Sequence, residues 1–314
     1  MKIVMSVFAA LAVVMSTGAA QAQEKVKFAY LRTQVMMPFL YAEQKGYFGQ
    51  EGLAIEFVPV QGGPAVAAAI ASGSAHIGYA APTPIVMARQ EGQPYRFFIG
   101  LEWERSPDYL WGPLHASERS GVRSFRELAG KTLLVGPAGG LCELAFRDWL
   151  AKSGVAWDKV KVLYIPFPQH QAALELGNAD AACTPEPFYT AIANSKVKPA
   201  LLGMGYLAEE KRKYVIDGLF ATEAWIKANP KVIDALKRAT VRAIKDLNAD
   251  PQLVRKTLLE DFKLPASLVA RLRTGFDPNL AISAADLEPI IEAMRRNGML
   301  RQNLTAADMV HTGK

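Results

Sequence analysis

Two glycine pairs occupy the positions in the chain that a site for a small anion would need. Gly62-Gly63 and Gly139-Gly140 each follow a strand-like run and lead directly into a helical pattern. Glycine lets a ligand approach the backbone closely, and the N–H groups at a helix start carry a partial positive charge that favours an anion. We therefore predict one amide cradle at each pair. For either pair alone, a tight turn is the alternative role.

Motifs of the common catalytic sites are missing from the sequence. It has no GxSxG, HExxH or phosphate-loop lysine motif, and no GxGxxG between a strand and a helix. The four histidines, His76, His115, His170 and His311, are scattered, and none has another histidine or cysteine at metal-ligand spacing. We therefore expect a protein that is not an enzyme and has no metal and no cofactor. An enzyme that uses Glu186 with His170 is the alternative.

The two cysteines, Cys142 and Cys183, are too few for a disulfide scaffold and form no CxxC pair. Both lie next to loops at the same end of the second predicted folding unit. A disulfide is one possibility in an oxidising compartment. Buried free thiols are the commoner state, and they are our expectation.

The N-terminus has the pattern of a secretory signal peptide. Lys2 precedes an apolar run over residues 3–14, and the small-residue triplet Ala20-Gln21-Ala22 follows. We predict cleavage after Ala22 and export of the protein to the periplasm; a buried element of the mature fold is the alternative. The apolar run is shorter than the roughly 20 residues of a membrane-spanning helix, so we expect no direct membrane insertion.

Composition and charge are those of a globular protein. The 314 residues are 50% hydrophobic and 21% charged, and 36 Lys and Arg face 30 Asp and Glu, for a net charge of +6. This length suits two domains of moderate size. Basic residues are dispersed, and only residues 211–213 form a run. Because nucleic-acid binding needs a clustered basic face, we expect no nucleic-acid partner.

Strand and helix patterns alternate in two series. The first has strands over 26–31, 53–60, 75–80 and 96–101, with helices at 38–45, 64–73 and 84–92 between them. The second has strands over 131–135, 160–165 and 180–183, with helices after 140 and at 171–176. From Glu223 onward only helix patterns remain. The sequence therefore predicts an α/β fold with two doubly wound lobes of parallel strands and a helical C-terminal wrap.

In such open sheets the ligand crevice lies beyond the carboxyl ends of the strands. Arg32 could pair with a carboxylate, sulfonate or phosphate, or lie in solvent. Glu186 could contact a ligand or cap local N–H groups, and Trp103, Trp111 and Phe188 could form an aromatic wall or pack lobe against hinge. The predicted ligand-binding residues are Arg32, Thr33, Gln34, Gly62, Gly63, Ala81, Thr83, Trp103, Gly139, Gly140, Leu141, Phe167, Glu186 and Phe188.

Several short motifs, in order, resemble one family. They are PFLYAEQKGYFGQEGL at 38–53, the Gly62-Gly63 turn, IASGSAHIG at 70–78, Thr83-Pro84, FRELAGK at 125–131, GNADA at 177–181 and EPF at 186–188. Together they resemble the nitrate, sulfonate, taurine and thiamine-pyrimidine group of periplasmic solute-binding proteins. The resemblance covers essentially the whole chain after the signal peptide and is weaker after residue 224.

The resemblance implies a type II periplasmic binding protein of an ABC importer, whose two lobes are joined by crossover segments near 104–113 and 215–221. Lobe I would comprise 23–108 and 216–314, and lobe II 109–215. Its partners would be a small-molecule ligand and an ABC permease with its ATPase, and the protein would be a monomer. We expect a small, anionic organic ligand. The alternatives are a neutral, pyrimidine-type heterocycle as ligand, or a sensor that docks a membrane receptor.

Overall fold

The structure is a computed structural model that describes residues 23–105, 110–260, 264–270, 275–301 and 303–311. The predicted signal peptide, residues 1–22, lies outside the described residues, and so does the predicted lobe boundary between residues 108 and 109. Within the described part of the chain, no helix is both long enough and apolar enough to cross a bilayer.

Within the described ranges, ten strands form two five-stranded sheets. The strands are β1 (Glu24–Tyr30), β2 (Leu53–Pro59), β3 (Ile77–Ala80), β4 (Tyr95–Glu104), β5 (Pro113–Ala116), β6 (Thr132–Leu134), β7 (Lys161–Leu163), β8 (Ala181–Cys183), β9 (Ala200–Met204) and β10 (Tyr214–Thr222). The first sheet has the order β2-β1-β3-β10-β4, and the second has the order β7-β6-β8-β5-β9. The two series of the sequence therefore form two separate sheets, as predicted.

Helices flank both sheets. They are α1 (Met37–Gln44), α2 (Tyr47–Gln50), α3 (Gly63–Ala71), α4 (Pro82–Gln90), α5 (Leu141–Lys152), α6 (His170–Leu176), α7 (Phe188–Ala193), α8 (Glu223–Ala228), α9 (Pro230–Ala249), α10 (Pro251–Glu260), α11 (Ala266–Val269) and α12 (Ala284–Arg296). A capping box begins α12: the side chain of Ser283 accepts the backbone N–H of Asp286, and the side chain of Asp286 accepts the backbone N–H of Ser283. The predicted helical C-terminal segment is confirmed.

Both sheets are mixed: the strands of the two predicted series run parallel to one another, as predicted, and one further strand in each sheet runs antiparallel. In the first sheet, β10 lies between β3 and β4 and runs antiparallel to both. In the second, β5 runs antiparallel to β8 and β9. A parallel strand needs a crossover connection that returns the chain to the starting end of the sheet. Strands β5 and β10 each enter their sheet directly from the other sheet, and they therefore run in the opposite direction.

The chain passes between the two sheets twice. The first connection spans residues 105–112, between β4 and β5, and the second spans residues 205–213, between β9 and β10. The predicted first crossing at 104–113 agrees with this. The predicted second crossing at 215–221 is wrong, because those residues lie inside β10, whose nearly continuous burial is that of a central strand. The assignment of residues to lobes stays a prediction.

Helix α9 shows how the apolar pattern builds the core. Pro230 opens the helix, and apolar residues at helical spacing lie on one face and in the core of the first lobe; they are Ile233, Leu236, Ile244 and Leu247. Burial of one such side chain stabilises the fold by about 1.5 to 3 kcal/mol. Helix α9 packs on α1 and α2, and it thereby supports the edge of the sheet from which the cavity residues extend.

A disulfide joins Cys142 and Cys183, so the expectation of free thiols is wrong. The sulfur atoms are 2.02 Å apart, and the Cα atoms are 5.4 Å apart. Cys142 lies in the first turn of α5, and Cys183 is the last residue of β8. The spacing of 41 residues along the chain gave no sign of this proximity, which results from the packing of α5 on the sheet.

Removing this disulfide should destabilise the protein. In the chain-entropy account, a crosslink over 41 residues contributes about 4 kcal/mol. We expect the double substitution Cys142→Ala and Cys183→Ala to lower the free energy of unfolding in urea by about 3 to 4 kcal/mol. Reductant should shift the wild-type midpoint in the same direction and leave that of the variant unchanged. Equal midpoints for the oxidised wild type and the variant would contradict a structural role.

Candidate functional site

A cavity of about 120 Å³ lies between the two sheets, and residues of both sheets line it. Its walls follow the carboxyl ends of β1, β2, β3, β6 and β8, as expected for open α/β sheets. Residues that line it are Leu31, Thr33, Gln34, Val35, Gly62, Gly63, Pro64, Tyr79, Ala80, Ala81, Pro84, Glu102, Trp111, Pro137, Gly140, Leu141, Cys142, Phe167, Pro185, Glu186, Tyr206, Ile216 and Asp217.

Most of the predicted ligand-binding residues border this cavity. They follow strands of both sheets, as a binding site between two lobes requires. Their role as ligand contacts stays a prediction. The nine are Thr33, Gln34, Gly62, Gly63, Ala81, Gly140, Leu141, Phe167 and Glu186.

Five predicted residues do not line the cavity. Arg32 is exposed, and Thr83 lies fully buried inside α4, which begins at Pro82 with Ala81 as its N-cap rather than at Thr83 and Pro84 as predicted. Trp103 lines a separate cavity of the first lobe, where the ammonium of Lys213 lies 4.0 Å from its ring centroid. The other two are Gly139 and Phe188; the ring of Phe188 stacks on that of Phe167 at 6.3 Å between centroids.

The first glycine pair allows the two lobes to approach each other. Gly62 has a φ of +97°, and a Cβ atom there would lie 2.7 Å from Cγ of Pro137 in the second lobe. A Cβ atom on Gly63 would lie 2.5 Å from Cγ of Pro84. Real Cβ atoms do not come this close to another carbon, so side chains at these positions would push the walls apart. The close approach is thus between protein segments as well as toward the cavity.

The predicted anion cradle at the second glycine pair is partly filled by the protein itself. The N–H of Gly139 donates to a carboxylate oxygen of Glu143 at 2.9 Å, and Glu143 also pairs with Arg147 at 2.8 Å. Glu143 lies in the first turn of α5, where a negative side chain balances the helix dipole. Gly139 therefore does not offer its amide to a ligand, and its Cα faces Met87 of α4.

Carboxylates form one wall of the cavity. Glu102 and Asp217 are cross-strand partners on β4 and β10, and both line the cavity. The hydroxyl of Tyr79 donates a hydrogen bond to Asp217 and accepts one from the hydroxyl of Thr33 at 3.1 Å. Burial raises the pKa of Asp217 to about 7, and the hydrogen bond from Tyr79 acts in the opposite direction. Among the described lining residues there is no Lys, Arg or His.

The second lobe contributes Glu186, which caps local N–H groups, one of its two predicted roles. Its carboxylate accepts the backbone N–H of Thr190 at 3.1 Å and the hydroxyl of Thr190 at 2.8 Å. It thus holds the first turn of α7 while its side chain borders the cavity. A rigid position for Glu186 follows, because both of these bonds fix the carboxylate relative to the helix.

Three further aromatic residues line the cavity, Tyr79, Trp111 and Tyr206, and the sequence did not single out either tyrosine. Tyr79 and Tyr206 are buried, and burial raises the pKa of each well above the usual range, so both remain protonated. Trp111, considered as a wall residue but not among the predicted fourteen, lines the cavity from the first connection. Tyr79 ends a predicted strand and could have been found by the strand-end rule. Tyr206 lies on the second connection, which carried no local signal.

Two buried histidines stand behind the Glu186 segment. His115 Nε2 and His170 Nδ1 lie 3.2 Å and 2.9 Å from the hydroxyl oxygen of Thr184, and His170 Nε2 lies 3.0 Å from the carbonyl oxygen of Ile165. Burial lowers the pKa of His115 to about 3, with His170 adding to the effect, and burial lowers that of His170 to about 4. Both rings are therefore neutral. Within the described residues, no group of His, Cys, Asp or Glu is arranged to hold a metal ion.

Acid should destabilise the protein through this histidine pair. Unfolded histidines titrate near pH 6.5, above the folded pKa values, so the unfolded chain binds more protons below that pH. The contribution of the two neutral histidines to the free energy of unfolding is therefore full above about pH 6.5, and roughly 3 to 6 kcal/mol of it is lost as the pH falls to 4. We expect the double substitution His115→Asn and His170→Gln to flatten the pH dependence of the free energy of unfolding over this window. Parallel curves for the variant and the wild type would exclude the pair as the cause.

Asp217 should destabilise the protein at high pH. Because its folded pKa is raised, the folded state binds more protons between about pH 4 and pH 7, and stability falls as the pH rises through this range. We expect Asp217→Asn to be more stable than the wild type at pH 8 by roughly 1 to 3 kcal/mol, with the difference vanishing near pH 4. Urea unfolding at both pH values measures it, and the exposed Asp158→Asn is the control. A difference that is independent of pH would contradict the assignment.

Two mixed sheets flanked by helices, with a cavity between the strand ends that face each other, are the architecture of the periplasmic binding protein fold. Solved structures of that fold superpose on the chain. The alkanesulfonate-binding protein SsuA of Xanthomonas axonopodis pv. citri, bound to MOPS, has a TM-score of 0.77 at 20% identity and covers 92% of this chain and 99% of its own. The nitrate-binding protein NrtA of Synechocystis PCC 6803 has a TM-score of 0.70 at 15% identity and covers 90% and 83%.

The chain belongs to the NMT1/THI5-like family, whose model matches residues 33–253. A curated relative is the riboflavin-binding protein RibY of Chloroflexus aurantiacus, 24% identical over 237 residues. That match covers 73% of this chain and 63% of the relative, so the chain spans less than two thirds of the length of RibY.

Proposed function

We propose that the protein is the substrate-binding component of an ABC-type importer. It captures a small solute between its two lobes in the periplasm and delivers it as a monomer to a permease with its ATPase. The observation that carries this proposal is the cavity lined from both sheets, with the lobes in contact at Gly62 and Pro137. Solved structures of the same fold that bind sulfonates and nitrate support it.

Hinge closure accounts for capture. A solute in this cavity contacts residues of both lobes only when the lobes are together, so it binds that state more tightly than an open one. A ligand shifts such an equilibrium by its difference in affinity for the two states. The bound solute therefore stabilises the shape in which Pro137 meets Gly62, and a permease that recognises this shape receives loaded protein.

The lining supports a neutral heterocycle that donates hydrogen bonds over the organic anion that the sequence predicted. Asp217 disfavours an anion whenever its carboxyl group is ionised, and at one of the two expected amide cradles the N–H of Gly139 is already bonded to Glu143. A carboxylate has about four acceptor sites, and Tyr79 uses one on Asp217. N–H groups of a planar ring would donate to the acceptor sites that remain on Asp217, and the aromatic side chains of the walls would pack against the faces of the ring. The relative RibY is a riboflavin-binding protein, which agrees with such a ligand.

A thermal-shift screen tests both parts of the proposal. The panel contains nitrate, sulfonates, carboxylates, pyrimidines and flavins. We expect a pyrimidine or flavin at a hundredfold excess over Kd to add about 2.7 kcal/mol and to raise Tm by about 5 °C. Recovery of the intact compound after incubation separates capture from turnover. Shifts confined to nitrate, sulfonates or carboxylates would overturn the heterocycle and leave capture intact, whereas conversion of the compound would overturn capture.

A further inference from the structure

Glu104 is a fully buried carboxylate at the point where the chain first leaves the first sheet. It is the last residue of β4, its exposed fraction is 0%, and it is not part of the lining of the cavity between the lobes. A buried carboxylate is costly unless hydrogen bonds compensate for the lost water. Its partners therefore identify what the charge stabilises.

The two carboxylate oxygens of Glu104 join the two connections between the lobes. One oxygen accepts the backbone N–H groups of Trp111 at 2.5 Å and Gly112 at 3.0 Å, both on the first connection. The other accepts the backbone N–H of Tyr206 on the second connection, at 2.8 Å, and the hydroxyl of Tyr214 at the start of β10. Hydrogen bonds to a charged acceptor are among the strongest in proteins.

Two of these N–H groups belong to aromatic residues of the cavity wall. The side chains of Trp111 and Tyr206 both line the cavity, although neither belongs to a strand or helix. Glu104 fixes their backbone positions from behind. The place of two walls of the candidate site therefore depends on one side chain that does not itself border the cavity.

The two connections are also bonded to each other around Glu104. The N–H of Gly205 on the second connection donates to the carbonyl of Gly112 on the first at 2.9 Å. The N–H of Leu207 donates to the hydroxyl of Tyr214 at 3.1 Å, which ties the second connection to the start of β10. Burial raises the pKa of Glu104, while the four hydrogen bonds act to lower it. These bonds make the two connections one network with the carboxylate at its centre.

We propose that Glu104 is a positioning residue that couples the two connections, so that they move as one hinge and hold Trp111 and Tyr206 at the cavity. The functional meaning of this coupling rests on the proposed capture of a solute between the lobes. If the connections were independent, each could change its backbone without the other. Because Glu104 accepts N–H groups of both connections, a backbone movement of one connection displaces the carboxylate and weakens its hydrogen bonds to the other.

A second buried carboxylate supplies the matched control. Asp148 of α5 accepts the N–H of Ala208 at 2.9 Å, pairs with Arg296 at 2.7 Å and accepts the amide of Asn297 at 2.9 Å. It thus bonds the second connection alone, and none of these partners lines the cavity. Its loss should destabilise the protein without changing the first connection.

Hydrogen exchange of the backbone amides tests the coupling in the absence of any solute. Glu104→Gln keeps the shape of the side chain and leaves one oxygen, so one connection retains its acceptor. We expect the amides of both segments, 110–112 and 205–207, to exchange at least about tenfold faster in this variant. Asp148→Asn should speed exchange only near Ala208. Faster exchange in only one of the two segments of Glu104→Gln, or in neither, would overturn the proposal.

A milder variant keeps the test decisive if Glu104→Gln does not fold. Tyr214→Phe removes a donor to Glu104 and the acceptor of the Leu207 N–H, and it leaves the carboxylate in place. Coupling predicts faster exchange in both segments, whereas independent connections predict it near Leu207 alone, which would refute the proposal. Either outcome leaves solute capture untouched, and a failed solute screen would leave the exchange result standing.

Discussion

The cavity lies between two sheets, and its shape depends on the two short connections that join them. The sheets also share buried contacts, since one core cluster contains Phe97 of β4 and Leu133 of β6. The two connections place backbone N–H groups in a buried setting, where each is costly unless it has an acceptor. Glu104 accepts three of these N–H groups, two on the first connection and one on the second, so the bonds that satisfy the buried backbone also join the two connections.

Charge in the cavity follows from the topology. Strand β10 enters the first sheet between β3 and β4, and this places Asp217 opposite Glu102. Burial raises the pKa of Asp217, and the hydrogen bond from Tyr79 acts in the opposite direction. The position of this carboxyl group in a cavity lined from both sheets agrees with the proposed capture of a solute there.

The sequence predicted what depends on neighbouring residues and missed what depends on distant ones. The helical segment after Glu223 was predicted from local patterns and is confirmed, and its helix starts at Pro230 and at the Ser283 capping box are set by neighbouring residues. The reversed entry of β10 and the pairing of Cys142 with Cys183 depend on how elements pack, and no short pattern reports that. One signal was available, however. Asp217 interrupts an otherwise apolar run over 214–222, and a single acid in a buried strand indicates a site.

At the second glycine pair the predicted anion cradle is partly filled by the chain itself, for a reason that has general value. A helix start favours a negative group, but the chain can provide that group itself. At α5 it does so three residues after the N-cap, where Glu143 accepts the amide of Gly139. At α3 no acidic residue lies in the first turn, and Gly62 instead lies against Pro137 of the other lobe. A glycine pair before a helix therefore indicates an anion site only when the first turn contains no carboxylate and the glycine Cα faces open space. Neither pair meets both conditions here, which is why the proposed ligand is matched to the acceptor groups of the strands rather than to the helix starts.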